Sequence, residues 1–482
     1  MRRVVRRILP ASLGLAMLAV LAACASKQQV PPPEVDMPPA WRYTAAGADP
    51  AAQPWIPLLT DPELDELVTA ALRYNRDLRA AAARVDQARA LWGTQDAGRW
   101  PMLSAGGNAT RGKQPVAAGV DNRIGESGQV AVLANWELDL WGRIADSSES
   151  ARQSWLSTEE SYRAARVSLV SQVAQGWLRL LEVDEQVLIA ENTAKAQRES
   201  LRLVNLRFRG GVASQVDVSQ AESALSTSES SLAELRANRV QVENALAVLA
   251  GRSPQALQLA RTRQIVQLPA PATLGAGLPS ELLQARPDIR AAERSLAATQ
   301  FDVSAARKAF LPSISLTGLL GFASYDLSRL LDAGSEAWSV GAGITQPLFT
   351  GGALRSQLDL ANARQREATE RYAAAVLQAL REVEDALASY QHLRDQAAAQ
   401  ARGVAANRER LRLADLRYRG GVTDYFEVLN AQQQLFAVEL SRVQSERAVR
   451  AALIQLYAAL GGGEAATDTA PTAEASPPAT NR

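Results

Sequence analysis

The sequence predicts an α+β membrane protein built from two tandem repeats, each with two transmembrane β-strands and a long α-helical hairpin. Three observations carry that expectation: an internal duplication, segments with a two-residue apolar period, and helical stretches longer than a globular domain needs. Residues 201–225 read LRLVNLRFRGGVASQVDVSQAESAL, and residues 411–435 read LRLADLRYRGGVTDYFEVLNAQQQL, an offset of 210. Residues 75–79 (NRDLR) parallel 286–290 (RPDIR), and Pro101 parallels Pro312, both at offset 211. Trp141-Gly142-Arg143 pairs with Thr350-Gly351-Gly352 at offset 209. Anchors in the same order at near-constant spacing mark a duplicated unit of about 200 residues.

The chain accordingly divides into a leader (1–23), a linker (24–57), a first repeat (58–267), a Pro/Leu/Gly connection (268–279), a second repeat (280–462) and a tail (463–482). Arg2, Arg3, Arg6 and Arg7 precede an apolar run over residues 8–22. That run is too short to span a bilayer and reads as a secretion signal. It ends in Leu21-Ala22-Ala23-Cys24, which resembles the lipobox of bacterial lipoproteins; this implies a covalent lipid on Cys24, and no other cofactor is expected. Ala25 in the next position resembles an outer-membrane address. Cys24 is the sole cysteine, so an intramolecular disulfide is excluded.

Each repeat is expected to open with one helix, near 61–97 and near 280–309. Two strands should follow. Val130, Val132, Ala134, Trp136, Leu138 and Leu140 alternate with Gln129, Asn135, Glu137 and Asp139. Ile314, Leu316, Leu320 and Phe322 oppose Ser313, Ser315 and Thr317, while Trp338, Val340, Ala342, Ile344 and Leu348 oppose Ser339, Gly341, Gly343 and Thr345. The segment from Met102 to Thr110 alternates poorly and is assigned as a strand through the repeat. Such alternation suits a transmembrane strand and equally a half-buried strand of a soluble sandwich. Four strands cannot close a barrel, and an open edge cannot sit in lipid, so a membrane barrel would have to be shared between subunits.

Long helical stretches run near 144–208 and 353–418, each about 65 residues and hence roughly 100 Å. Val170, Val173, Trp177 and Leu180, with partners Leu380, Val383, Leu387 and Tyr390, set a coiled-coil-like seam. Arg207 to Val212 and Arg417 to Val422 should form the turns of the two hairpins. There Gly210, Gly211, Gly420 and Gly421 stop the helices and Ser214, Thr423 or Asp424 caps the returning ones.

Composition narrows the function. Lys+Arg 52 against Asp+Glu 51 gives no electrostatic case for nucleic acid. One histidine (His392), one cysteine and four methionines offer no metal site, and no nucleophile–base pair or phosphate loop indicates an enzyme.

The lipobox, paired strands, duplicated hairpins and the run Tyr-Arg-Gly-Gly-Val…Val-Leu-Asn-Ala-Gln (418–432) resemble the TolC-like outer-membrane factors. The run RPDIRAAE (286–293) is similar to the NodT-type lipoprotein branch, which serves resistance-nodulation-division (RND) pumps. The resemblance implies a homotrimer with a twelve-stranded β-barrel on an α-helical periplasmic tunnel, lipid-anchored in the outer membrane. It further implies docking of Gly210, Gly211, Val212, Gly420, Gly421 and Val422 to a periplasmic adaptor (membrane fusion) protein, with an inner-membrane RND transporter as motor. Family gates, an apolar ring and an acidic ring, match Phe426 and Asn430; Asn430 departs from the acidic residue, with Asp424 and Glu427 nearby. The expected function is a multidrug efflux duct for small amphiphilic compounds. A type I protein-secretion duct and a structural coiled-coil lipoprotein are the alternatives.

Overall fold

The computed structural model describes residues 35–43, 61–113, 124–256, 265, 268, 277 and 279–462. The leader, Cys24, most of the 24–57 linker, most of the inter-repeat connection and the 463–482 tail lie outside the described residues.

The first repeat comprises helices α1 (Pro62–Tyr74) and α2 (Arg76–Ala97), strands β1 (Met102–Lys113) and β2 (Ile124–Leu138), and helices α3 (Arg143–Arg209) and α4 (Gln215–Leu249). The second comprises α5 (Leu282–Ala285), α6 (Pro287–Lys308), β3 (Ser313–Ser324), β4 (Glu336–Thr345), α7 (Ala353–Arg419) and α8 (Tyr425–Ala459). Both long helices have 67 residues and both returning helices 35. The expected single opening helix is broken in each repeat. In the first, Asn75 turns extended (ψ 130°): its N–H donates to Ala71 O, and its Oδ1 accepts from Leu78 N. In the second, Pro287 disfavours the helical conformation at Arg286, which sits at φ −85° and ψ 122°. The two break residues perform the same task. Asn75 Nδ2 donates to Leu249 O, and Arg286 Nη1 donates to Ala459 O, so each ties down the C-terminus of its returning helix. The glycine just beyond that terminus is needed for shape. At Gly251 (φ 70°) a Cβ would lie 2.3 Å from Tyr74 O, and at Gly461 (φ 99°) 2.6 Å from Ala285 O.

The chain forms two compact units, each drawing on both repeats. One holds residues 87–157 and 292–373 and contains the four-stranded antiparallel sheet, ordered β1-β2-β3-β4. Its register aligns Ala105, Val132, Leu320 and Trp338 in one row and Leu103, Ala134, Gly318 and Val340 in the next. Directly paired residues point to the same side, so one face is apolar across all four strands. The other carries Met102, Asn108, Thr110, Gln129, Asn135, Glu137, Ser315, Thr317 and Ser339, with an apolar Leu133–Leu319 pair among them. The register also places β1, whose own pattern is too weak to orient it. The expected strand residues Leu140 and Leu348 fall beyond the ends of β2 and β4. Asp139 instead caps α3, accepting from Ile144 N and Ala145 N, and Lys308 braces the same corner through Asp146 and Gly142 O.

Of the described residues, the other unit holds 35–43, 61–86, 158–256, 265, 268, 277, 279–291 and 374–462. Its core packs Leu64, Leu67, Leu78, Val173, Trp177, Leu178, Leu180, Leu246 and Ile454, with Trp177 Nε1 donating to Asp61 Oδ2. The seam expected from spacing is buried here except for Val170, which packs against the core partly exposed. His392 sits against Tyr43, ring edge to ring face. Next to it Arg42 N donates to Glu384, and Trp41 Nε1 donates to Gly277 O.

Candidate functional site

The two hairpin turns are built alike. Gly211 (φ 74°) and Gly421 (φ 73°) take the left-handed conformation; their N–H groups donate to Phe208 O and Tyr418 O. Val212 N and Val422 N donate back to Arg207 O and Arg417 O. This pair of bonds closes the last turn of α3 and of α7 and leaves Val212 and Val422 projecting into solvent. Gly210 and Gly420 precede the left-handed position, and a Cβ on either would make ordinary contacts of 3.4 Å or more.

The returning helices start on side-chain caps. Ser214 accepts from Asp217 N while Asp217 accepts from Ser214 N, a reciprocal capping box. Asp424, rather than Thr423, caps α8 by accepting from Glu427 N. The four expected gate residues therefore have distinct surroundings. Asp424 holds a helix end, Glu427 pairs with Arg417 at 3.1 Å, and Asn430 accepts from Arg410 at 3.1 Å. Phe426 projects unpaired from the first turn of α8 and is 57% exposed.

Side-chain packing beneath the turns was not legible in the sequence. Tyr418 and Tyr425, a buried pair with ring centroids 5.6 Å apart, join Val204, Val218, Val428 and Leu429 in a small core. Burial pushes the Tyr425 phenol above its ordinary pKa; Tyr418 adds to this, and the Ser200 hydroxyl nearby opposes it. Arg207 crosses from the first hairpin to the second. Its guanidinium lies 4.3 Å from the Tyr418 ring centroid and donates to Tyr418 O and Arg419 O, terminal carbonyls of α7. Arg207, in the last turn of α3, thereby also serves the end of the neighbouring helix. The only cue in the sequence is an arginine preceding each Gly-Gly pair, which does not say which one crosses.

The family model for outer membrane efflux proteins matches residues 67–252 and 278–462. The chain belongs to the outer membrane efflux protein family. It is 36% identical to the outer membrane protein OprJ of Pseudomonas aeruginosa, over 93% of this chain and 95% of that one. It is also 36% identical to the cation efflux system protein CusC of Escherichia coli, over 85% of this chain and 88% of that one. The crystal structure of the open state of the Neisseria gonorrhoeae MtrE outer membrane channel matches with a TM-score of 0.82 and 31% identity, covering 90% of this chain and 97% of that one.

Within this family the chain is an efflux channel of the outer membrane, and the geometry above takes on a setting. No helix among the described residues is long and apolar enough to cross a membrane. Among the described residues no group of three or more His, Cys, Asp or Glu side chains could hold a metal ion.

Proposed function

We propose that three copies pair β1 of one chain with β4 of the next to close a twelve-stranded barrel, forming the outer-membrane duct of a tripartite pump for small amphiphilic compounds. The observation that carries this reading is the sheet. Trp338, Val340 and Ile344 are between 73% and 80% exposed on its apolar face, and β1 and β4 are its two edges. Such a face is stable in hydrocarbon, and its edges are tolerable there only when each is paired. The polar face then lines a water-filled lumen with hydroxyls, amides and few charges, a lining that suits varied cargo.

In this reading Cys24 carries the lipid, and the turns at Gly210, Gly211, Val212, Gly420, Gly421 and Val422 meet a periplasmic adaptor coupled to an RND transporter. Phe426 narrows the passage. Asn430, Asp424 and Glu427 supply no free acidic ring, because Asp424 caps a helix and Glu427 pairs with Arg417. Identity does not choose the cargo, since OprJ and CusC are equally similar. The single histidine and scarce methionines favour organic amphiphiles over a soft cation.

Two measurements test the proposal. A deletion strain should become hypersensitive to chemically unrelated amphiphiles and recover with the gene; unchanged susceptibility with a copper- or silver-sensitive phenotype would move the cargo to cations. Cys24→Ser should abolish palmitate labelling, and persistent labelling would remove the lipid from that residue.

A further inference from the structure

A cavity of about 390 Å³ lies between α3 of the first hairpin and α7 and α8 of the second. One wall is apolar, formed by Leu188, Leu411, Leu435 and Phe436. Its charged groups cancel: Arg408 bonds Glu439 at 2.6 Å, and Arg442 faces Glu185 at 3.7 Å. A cation or an anion would therefore have to break an existing pair to be held. The remaining polar groups are neutral amides and hydroxyls, among them Gln197 and Gln432.

Gln197 is the decisive residue. It lines the cavity, is 3% exposed, and its Oε1 has no hydrogen-bond partner among the described residues. Gln432 spends its Nε2 on Ser200 Oγ and also leaves its Oε1 without a partner. Two buried amide oxygens beside an apolar wall form acceptors awaiting a donor, and an unsatisfied buried acceptor costs free energy that a ligand donor would recover. The volume lies within the range of small-molecule sites, which combine an apolar lining with a few placed polar groups.

We propose that this cavity binds a neutral amphiphile, an aromatic or branched body carrying one hydroxyl or amide N–H, with the donor directed to Gln197 and Gln432. The site goes beyond the duct reading, because it is an equilibrium binding site in the wall of one chain and needs no transport. An occupant touches both hairpins at once, so it favours the arrangement in which α3 lies against α7 and α8 over any in which they part.

The test uses the purified full-length protein in lipid nanodiscs, titrated with 1-naphthol and, in parallel, with naphthalene, each corrected for empty nanodiscs. Saturable binding of 1-naphthol is expected, about tenfold tighter than naphthalene. Gln197→Leu should remove that preference while leaving naphthalene binding unchanged. Ala196→Trp, at an exposed position on the rim, should abolish both without affecting folding as judged by melting and gel mobility. Equal binding of the two probes to the wild type would overturn the proposal, because the amides would then recognise nothing. So would the absence of saturable binding, which would leave the cavity to water. Dissociation of the oligomer by Ala196→Trp would also overturn it, by assigning the cavity to a second copy of the chain.

Discussion

The two hairpin turns share a backbone and differ in several of the side chains around it and in what the shared ones touch. Both terminate a 67-residue helix with a left-handed glycine and start a 35-residue helix on an oxygen cap. Yet Phe208 stands where the second turn has Tyr418, Val216 where it has Phe426, and Ser214 where it has Asp424. The most consequential difference is between Arg207 and Arg417. Arg207 reaches across to cap the other hairpin, whereas Arg417 forms an ion pair with Glu427 within its own. Duplication thus kept what helix termination requires and freed the outward positions to specialise. The first turn acts as a brace, and the second carries Phe426, more exposed than Phe208 of the first.

The comparison breaks most severely where the repeats make identical demands. Gly251→Ala and Gly461→Ala should each cost roughly 2–5 kcal/mol, combining a left-handed alanine with overlap on a backbone oxygen. Both variants should show large, similar losses of melting temperature; tolerance of one would mean that the repeats do not share this corner. An unequal result is expected at the arginines. Arg207→Ala should cost about 2 kcal/mol through two carbonyls and an aromatic face left uncovered. Arg417→Ala should cost about 0.5 kcal/mol, because the pair with Glu427 is largely exposed. Equal shifts in thermal melts would erase the proposed division of labour. The finest distinction concerns passage rather than stability. Phe426→Ala should raise the resting conductance of the channel in a planar bilayer, and Val216→Ala should leave it unchanged. If neither variant changes conductance, the narrowest point lies elsewhere.

Much of this molecule is governed by short-range rules and can be read directly. The seam residues Val173, Trp177 and Leu180 announce a long helix because 3-4 spacing puts them on one side, and all three are buried. Gly211 and Gly421 announce turns because only glycine adopts φ near +74° without strain. Strands β3 and β4 show their faces through alternation alone. Where local signals are weak the outcomes differ: β1 has no clean period and is found as a strand only through the repeat, while Asn75, within an otherwise helical pattern, hides the first helix break. Pro287 did carry a local signal for the second break, through its restriction of Arg286.

Contacts between distant segments lie beyond such rules. The face of β1 follows from hydrogen-bond register with β2, because pairing forces opposed residues to the same side. The crossing of Arg207 to α7 and the partnerless oxygen of Gln197 arise where helices more than 200 residues apart come together. Periodicity specifies which side of a helix is apolar, but not which helix meets it. That choice depends on packing among several complementary surfaces at once, and it alone turns matching repeats into unequal halves of one channel wall.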